Sequence, residues 1–290
     1  MSYKVQQSVC SDCVTYVKSR IKFNKFNTFN NVRTIDITFD LETTSLQPTA
    51  AIMTFGAVAW NRNAKSKPFL LNENTAVGSK GSDGYGRYII FAPNLSQQFV
   101  SGFDFDRDTA RWWNSQSDDA KDAIIMAEPV SCEQFIELFY NWLLSVLDIS
   151  GADNYRLWCQ GSDFDLSIFR HFLSVFDTDH IIKLHHCYFR DARTFTLEAV
   201  ETIFKAGKWG ELVDSPDYKY DDFCANPQTI YAHLPQMTER VKDTLNYNGK
   251  LTVRHSVLFD AAQSSWNVWL LQRCVDAVIA GKNLPMEDIK

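Results

Sequence analysis

From Thr34 to Leu41 the chain alternates apolar and polar residues (Thr-Ile-Asp-Ile-Thr-Phe-Asp-Leu), the period of a strand with one face in a core. Ala51 to Trp60 is apolar almost throughout and predicts a second strand. Thr43, Thr44, Ser45 and Pro48 break the chain between them, so an antiparallel pair is the simplest arrangement. Gly78, Gly81, Gly84 and Gly86 punctuate a loop, after which Tyr88 to Phe91 predicts a third strand.

Helical spacing then takes over. Asp108 to Met126 predicts a helix capped by Asp108, with Trp112, Ala120 and Ile124 near helical spacing. Ser131 to Leu147 predicts another, with Ser131 as N-cap and Phe135, Leu138, Phe139, Trp142, Leu143 and Val146 on one face. Arg156 to Cys159 reads as a short strand, Asp163 to Phe176 as a helix, Ile181 to Phe189 as strand-like, and Arg193 to Ala206 as a helix. Residues 207–250 are polar, hold Pro216, Pro227 and Pro235, and read as an irregular insertion or lid. Ser256 to Ala280 predicts a long amphipathic helix. Strands that come early and then alternate with helices place the chain in the α/β class with a mixed central sheet.

Composition narrows the function. The 290 residues are 45% hydrophobic and 22% charged, ordinary for a globular chain. No apolar run approaches the ~18 residues needed to span a bilayer, so no membrane partner is expected. The net charge of −6 argues against a polycationic nucleic-acid binder, though not against a nuclease whose acids bind cations. The charge is uneven: residues 1–33 hold six basic residues and one acid, giving +5 there and −11 elsewhere. That segment, with its Phe-Asn stretch at 23–31, reads as a basic extension suited to sequence-independent phosphate contacts, to packing on the domain through Tyr3, Val5 and Val9, or to self-association as a homodimer. The folded domain is expected over 34–290. Seven scattered cysteines and no apolar leader point to a reducing, cytoplasmic compartment. Cys10 and Cys13 supply half of a zinc site with no second pair nearby. His185-His186 reads as one core and one surface residue, and the Gly78–Gly86 loop lacks the Gly-Lys-Ser/Thr ending of a P-loop.

Three groups of residues carry candidate chemistry. Asp40 and Glu42, two apart at a strand's end, project to the same face, where they repel unless a cation lies between them. They also fit a solvated surface pair. Gly161-Ser162-Asp163-Phe164-Asp165 follows a strand, where α/β ligand sites gather, but Ser162 and Asp165 also fit a capping box. His255 and Asp260 open the last helix. Five residues apart they do not share a helix face, and they converge only if His255 precedes the helix. Taken separately, the last pair also fits ordinary helix capping.

In this order, Asp-x-Glu, Phe-Asp and His-x₄-Asp resemble the DnaQ-like 3′–5′ exonucleases of the DEDDh type. Trp112-Trp113-x-x-Gln116-Ser117, Trp158 and Arg190-Asp191-Ala192-Arg193-Thr194 make the chain most similar to the phage exonuclease A and mycobacterial exoribonuclease-like branch. The resemblance covers about residues 34–280 and implies an RNase H-like fold. It departs from the family where Ser162 or Gln160 stands near the usual Asn, and Asp163 competes with Asp165. It implies Asp40, Glu42, Asp165 and Asp260 as ligands of two divalent cations, Mg²⁺ or Mn²⁺, with Asp40 bridging and His255 as general base. The implied substrate is single-stranded DNA with a free 3′ end, cleaved to nucleoside 5′-monophosphates. The alternatives are RNA, or a nucleic-acid-binding module with a vestigial site. Trp112 and Trp113 are candidates for base stacking, though adjacent helical residues face different ways.

Overall fold

The alternating segment forms β1 (Thr34–Thr43), which pairs antiparallel with β2 (Ile52–Trp60) on one side and parallel with β5 (Asn154–Cys159) on the other. The computed structural model describes residues 33–65, 68–69, 87–125, 127–182, 184, 186–213, 217–237 and 255–286, all within one compact unit, Arg33–Lys290. The basic extension up to Val32 with Cys10 and Cys13, the Gly78–Gly86 loop and His185 lie outside the described residues. With β3 (Tyr88–Pro93), β4 (Glu128–Val130) and β6 (Phe189–Asp191), the strands make a six-stranded sheet in the order β4-β3-β2-β1-β5-β6. This is the mixed central sheet of an α/β chain expected from the sequence.

Helices flank both faces. In chain order they are α1 (Leu95–Val100), α2 (Arg107–Ser115), α3 (Asp118–Ile125), α4 (Cys132–Ser150), α5 (Ser167–Phe176), α6 (Ala192–Lys205), α7 (Trp209–Leu212), α8 (Tyr220–Ala225) and α9 (Val257–Ile279). Ile35, Ile37, Phe39 and Leu41, the odd positions of β1, pack with Phe135 and Phe139 of α4 and Phe169 and Phe172 of α5. Each such side chain contributes roughly 1.5–3 kcal/mol by leaving water. Helix α4 starts as its sequence predicts, with Ser131 and Gln134 in a reciprocal capping box. On the other face α6 and α9 pack with Val58, Trp60 and Trp158.

Four expectations are corrected. Asp108–Met126 is two helices, α2 and α3, and the N-cap of α2 is Asp106, whose carboxylate accepts the Thr109 N–H at 2.7 Å. Among the described residues of Ile181–Phe189 no strand precedes β6: Asp177 accepts the N–H groups of Ile181 and Ile182 at 2.8 Å each, and Phe189 opens β6. Helix α9 is not amphipathic. Its run from Ser264 to Leu271 is buried without interruption, as suits a helix enclosed on all sides. The described part of 207–250 is not a lid, because Leu212, Phe223, Ile230, Leu234 and Met237 join the core beside α6 and α9.

Gly56 fixes how closely α9 approaches the sheet. It pairs with Asp40 across β1 and β2, and a Cβ there would stand 2.7 Å from Val257 Cγ2 and 2.9 Å from its carbonyl carbon. Gly56→Ala should therefore force the start of α9 off β2, costing about 1–3 kcal/mol in thermal or denaturant unfolding. Among the described residues no helix is long and apolar enough to cross a membrane, and the described cysteines are free thiols.

Candidate active site

The even positions of β1 form a polar row beneath α9: Asp36, Thr38, Asp40 and Glu42. The first two are satisfied from within the protein. Asp36 accepts the Trp158 indole N–H at 2.7 Å and pairs with Arg156 at 2.9 Å, while Thr38 Oγ1 accepts the Trp60 indole N–H at 2.9 Å. The last two reach the carboxyl end of the strand, where the other acids meet them.

Asp165 arrives from the turn after β5. Gly161 has φ 137°, a value that disfavours any side chain, and starts a π-helical turn over Ser162–Leu166. Ser167 Oγ donates to the carbonyls of Asp163 and Phe164 at 2.5 and 2.8 Å, and the Ser167 backbone N–H also donates to Phe164, closing the wide turn. No capping box forms at Ser162, which corrects that reading of Asp165. Instead Asp165 is 4% exposed and turned inward, while Asp163 is exposed. Asp191 holds this turn in place: its carboxylate accepts the Ser162 N–H at 2.6 Å and the Thr194 N–H at 2.7 Å, tying β6 and α6 to it.

His255 and Asp260 converge by the route that their spacing requires. His255 precedes α9 in a left-handed conformation, φ 64°, uncommon for a residue with a side chain. Its backbone N–H donates to Asp260 Oδ2 at 3.0 Å, so the helix turns the histidine back over its own first turn. Ser256 stands at the N-cap but makes no side-chain capping bond. Ligand atoms of Glu42, His255 and Asp260 lie within 4.8 Å of one another. The ring of His255 packs edge-on against Trp112, with centroids 5.1 Å apart. Of the tryptophan pair, Trp113 is buried and donates to the Thr43 carbonyl at 3.2 Å, whereas Trp112 is 45% exposed beside the histidine.

The electrostatics of this group are those of like charges held together. Burial first, then Asp165, Asp260 and Glu42, pushes the Asp40 carboxyl well above its ordinary range. Glu42 is raised by burial, then Asp260 and Asp165. Asp165 is pushed up to about 7 by burial, against the opposing fields of Arg193 and the Leu41 N–H. Oxygen donors crowded this way suit hard divalent cations, and the donor set fits them. A stability test follows. Folded Asp165 holds a proton that the unfolded chain releases near pH 4, so the metal-free fold loses stability as pH rises from about 4 to about 7. Asp165→Asn cannot ionise and should gain on wild type through that window, by about 1 kcal/mol per pH unit. Melting both proteins in chelator across the range checks this, and Mn²⁺ should reverse the loss in wild type.

Sequence reasoning brought out the five residues gathered here but missed two supports. Asp191 was visible as an Asp-x-x-Thr helix start, and its second bond, to Ser162, is a long-range contact. Asp36 carried no local signal beyond its place in the strand.

Comparison with known proteins adds a family. Residues 35–281 match the family described as the 3′–5′ exoribonuclease Rv2179c-like domain. Among solved structures the chain is similar to the crystal structure of cell-death related nuclease 4 (CRN-4), at 13% identity and a TM-score of 0.43, over 85% of this chain and 64% of that one. It thus spans less than two thirds of that nuclease's length. No curated protein matches the sequence.

Proposed function

The chain belongs to the 3′–5′ exoribonuclease Rv2179c-like domain family, and from that premise we propose that it removes nucleoside 5′-monophosphates from the 3′ end of single-stranded RNA. The sequence expectation is DNA; the family's description supports RNA instead. The observation that carries the reading is the convergence of Asp40, Glu42, Asp165 and Asp260, whose mutual repulsion calls for cations, beside His255.

Those four carboxylates would hold two divalent cations. When bound, the cations offset the charge of the scissile phosphate and lower the pKa of water. His255 takes a proton from the attacking water at a ring nitrogen. Attack at phosphorus breaks the bond to the 3′ oxygen of the preceding nucleotide, which leaves and is protonated. The bond from the His255 backbone N–H to Asp260 fixes the main chain of the histidine, and the packing of Trp112 against its ring holds the imidazole, so that little reorganisation accompanies proton transfer.

The test uses matched 3′-labelled RNA and DNA single strands, with Mn²⁺ or with chelator. Labelled mononucleotide should appear first, only with metal, and faster from RNA. Faster release from DNA would reverse the substrate assignment. Tight binding without release under any metal would make the chain a binding module.

A further inference from the structure

We propose that Arg193 is a phosphate-holding residue of the same site, gripping the phosphodiester one nucleotide upstream of the scissile bond. This rests on the exonuclease reading above and deepens it: the preferred substrate is a strand with at least two phosphates rather than an isolated nucleotide ester.

Arg193 is the second residue of α6 and is exposed. Its guanidinium lies over Gly161: a Cβ added there would stand 3.6 Å from Nη2, 3.7 Å from Cζ and 3.8 Å from Nη1. Near-equal distances to three guanidinium atoms mean that one face of the plane covers the turn that delivers Asp165. Nη2 donates to the Gln160 carbonyl at 2.9 Å, and the Gln160 side chain accepts the hydroxyl of Ser264 on α9 at 2.6 Å. The cation is therefore anchored to the end of β5 and, through it, to α9.

It is anchored but not neutralised. Arginine has five N–H donors, and among the described residues Arg193 forms one hydrogen bond and no ion pair. The neighbouring carboxylate, Asp191, spends its oxygens on the Ser162 and Thr194 N–H groups. A guanidinium whose role was only structural would be expected to pair with that acid. Its field nevertheless reaches the site, since it opposes the upward shift of Asp165. Free donors in a planar fork, beside a cluster of acids and open to solvent, match a phosphate, which accepts two parallel N–H bonds. His255, which takes the water's proton, stands with Glu42 and Asp260, whereas Arg193 covers the turn that delivers Asp165, so for an in-line attack the phosphate that Arg193 meets lies on the leaving-group side, in the upstream nucleotide.

The experiment compares Arg193→Gln and Arg193→Lys with wild type on three substrates in Mn²⁺: a dinucleotide with a 5′ phosphate, the same dinucleotide without it, and the p-nitrophenyl ester of a nucleoside 5′-monophosphate. Wild type should prefer the phosphorylated dinucleotide. Arg193→Gln should raise KM for it about tenfold and erase that preference, with Arg193→Lys restoring part of it. On longer strands the log–log salt dependence should flatten by a slope of roughly 0.7, the loss of one phosphate contact. Equal losses on the ester and the dinucleotides, or a preference that survives Arg193→Gln, would overturn the proposal. If wild type cleaves nothing, the exonuclease reading fails separately. Binding of the phosphorylated dinucleotide in Ca²⁺, followed by fluorescence anisotropy, then decides on Arg193: a tenfold weakening by Arg193→Gln supports it and unchanged binding rejects it.

Discussion

Asp40→Asn should leave the protein folded and reduce turnover by roughly a thousandfold. Metal-assisted charge stabilisation is worth several kcal/mol, and each 1.36 kcal/mol is a factor of ten in rate. The amide keeps the shape of the carboxylate but removes an anionic donor from the centre of the group. Asp40 feels Asp165, Asp260 and Glu42 together, so the substitution also relieves repulsion. The metal-free variant should therefore melt no lower than wild type at neutral pH, and its gain on adding Mn²⁺ should shrink. Wild-type turnover by Asp40→Asn would remove Asp40 from the metal-holding set, whatever became of the stability.

The second large effect separates two neighbouring acids. Asp165→Ala should cost activity on the same scale as Asp40→Asn, because its carboxylate is enclosed among the other acids. Asp163 is exposed, and its backbone carbonyl accepts the Ser167 hydroxyl. Asp163→Ala should change stability by no more than about 0.5 kcal/mol and leave turnover near wild type. Steady-state rates and melting curves of the pair decide the matter. A dead Asp163→Ala with an active Asp165→Ala would mean that the other carboxylate serves the reaction.

Much of this arrangement was legible because local pattern and tertiary role agree. β1 alternates because one face meets Phe135 and Phe169 while the other holds the polar row. Helix α4 announces itself through its capping box and apolar face. The failures lie where a side chain redirects the backbone. Helical spacing runs on past Ser115, but Ser117 Oγ accepts the Ala120 N–H at 3.2 Å and starts a new helix. The apolar Ile181–Phe189 stretch looks extended, yet Asp177 captures two of its first N–H groups. Of the site, the order of acids was readable and their meeting was not. Spacing alone cannot bring His255 to Asp260: the left-handed residue and the bond to Oδ2 do so, and neither has a signature in sequence. The burial of α9 on all sides was hidden because Ser264, Ser265 and Asn267 look like a solvent face and are in fact packed.

A ribosome reaches Val257 only after every strand of the sheet has been made. A nascent chain at that stage already owns Asp40, Glu42 and Asp165, but Trp60, Val58 and Trp158 have only α6 to cover them, and Asp260 does not yet exist. The acid cluster is therefore completed by the same event that finishes covering this face of the sheet. On the exoribonuclease reading, an unfinished chain tethered beside the messenger that encodes it lacks part of the machinery proposed to cut it.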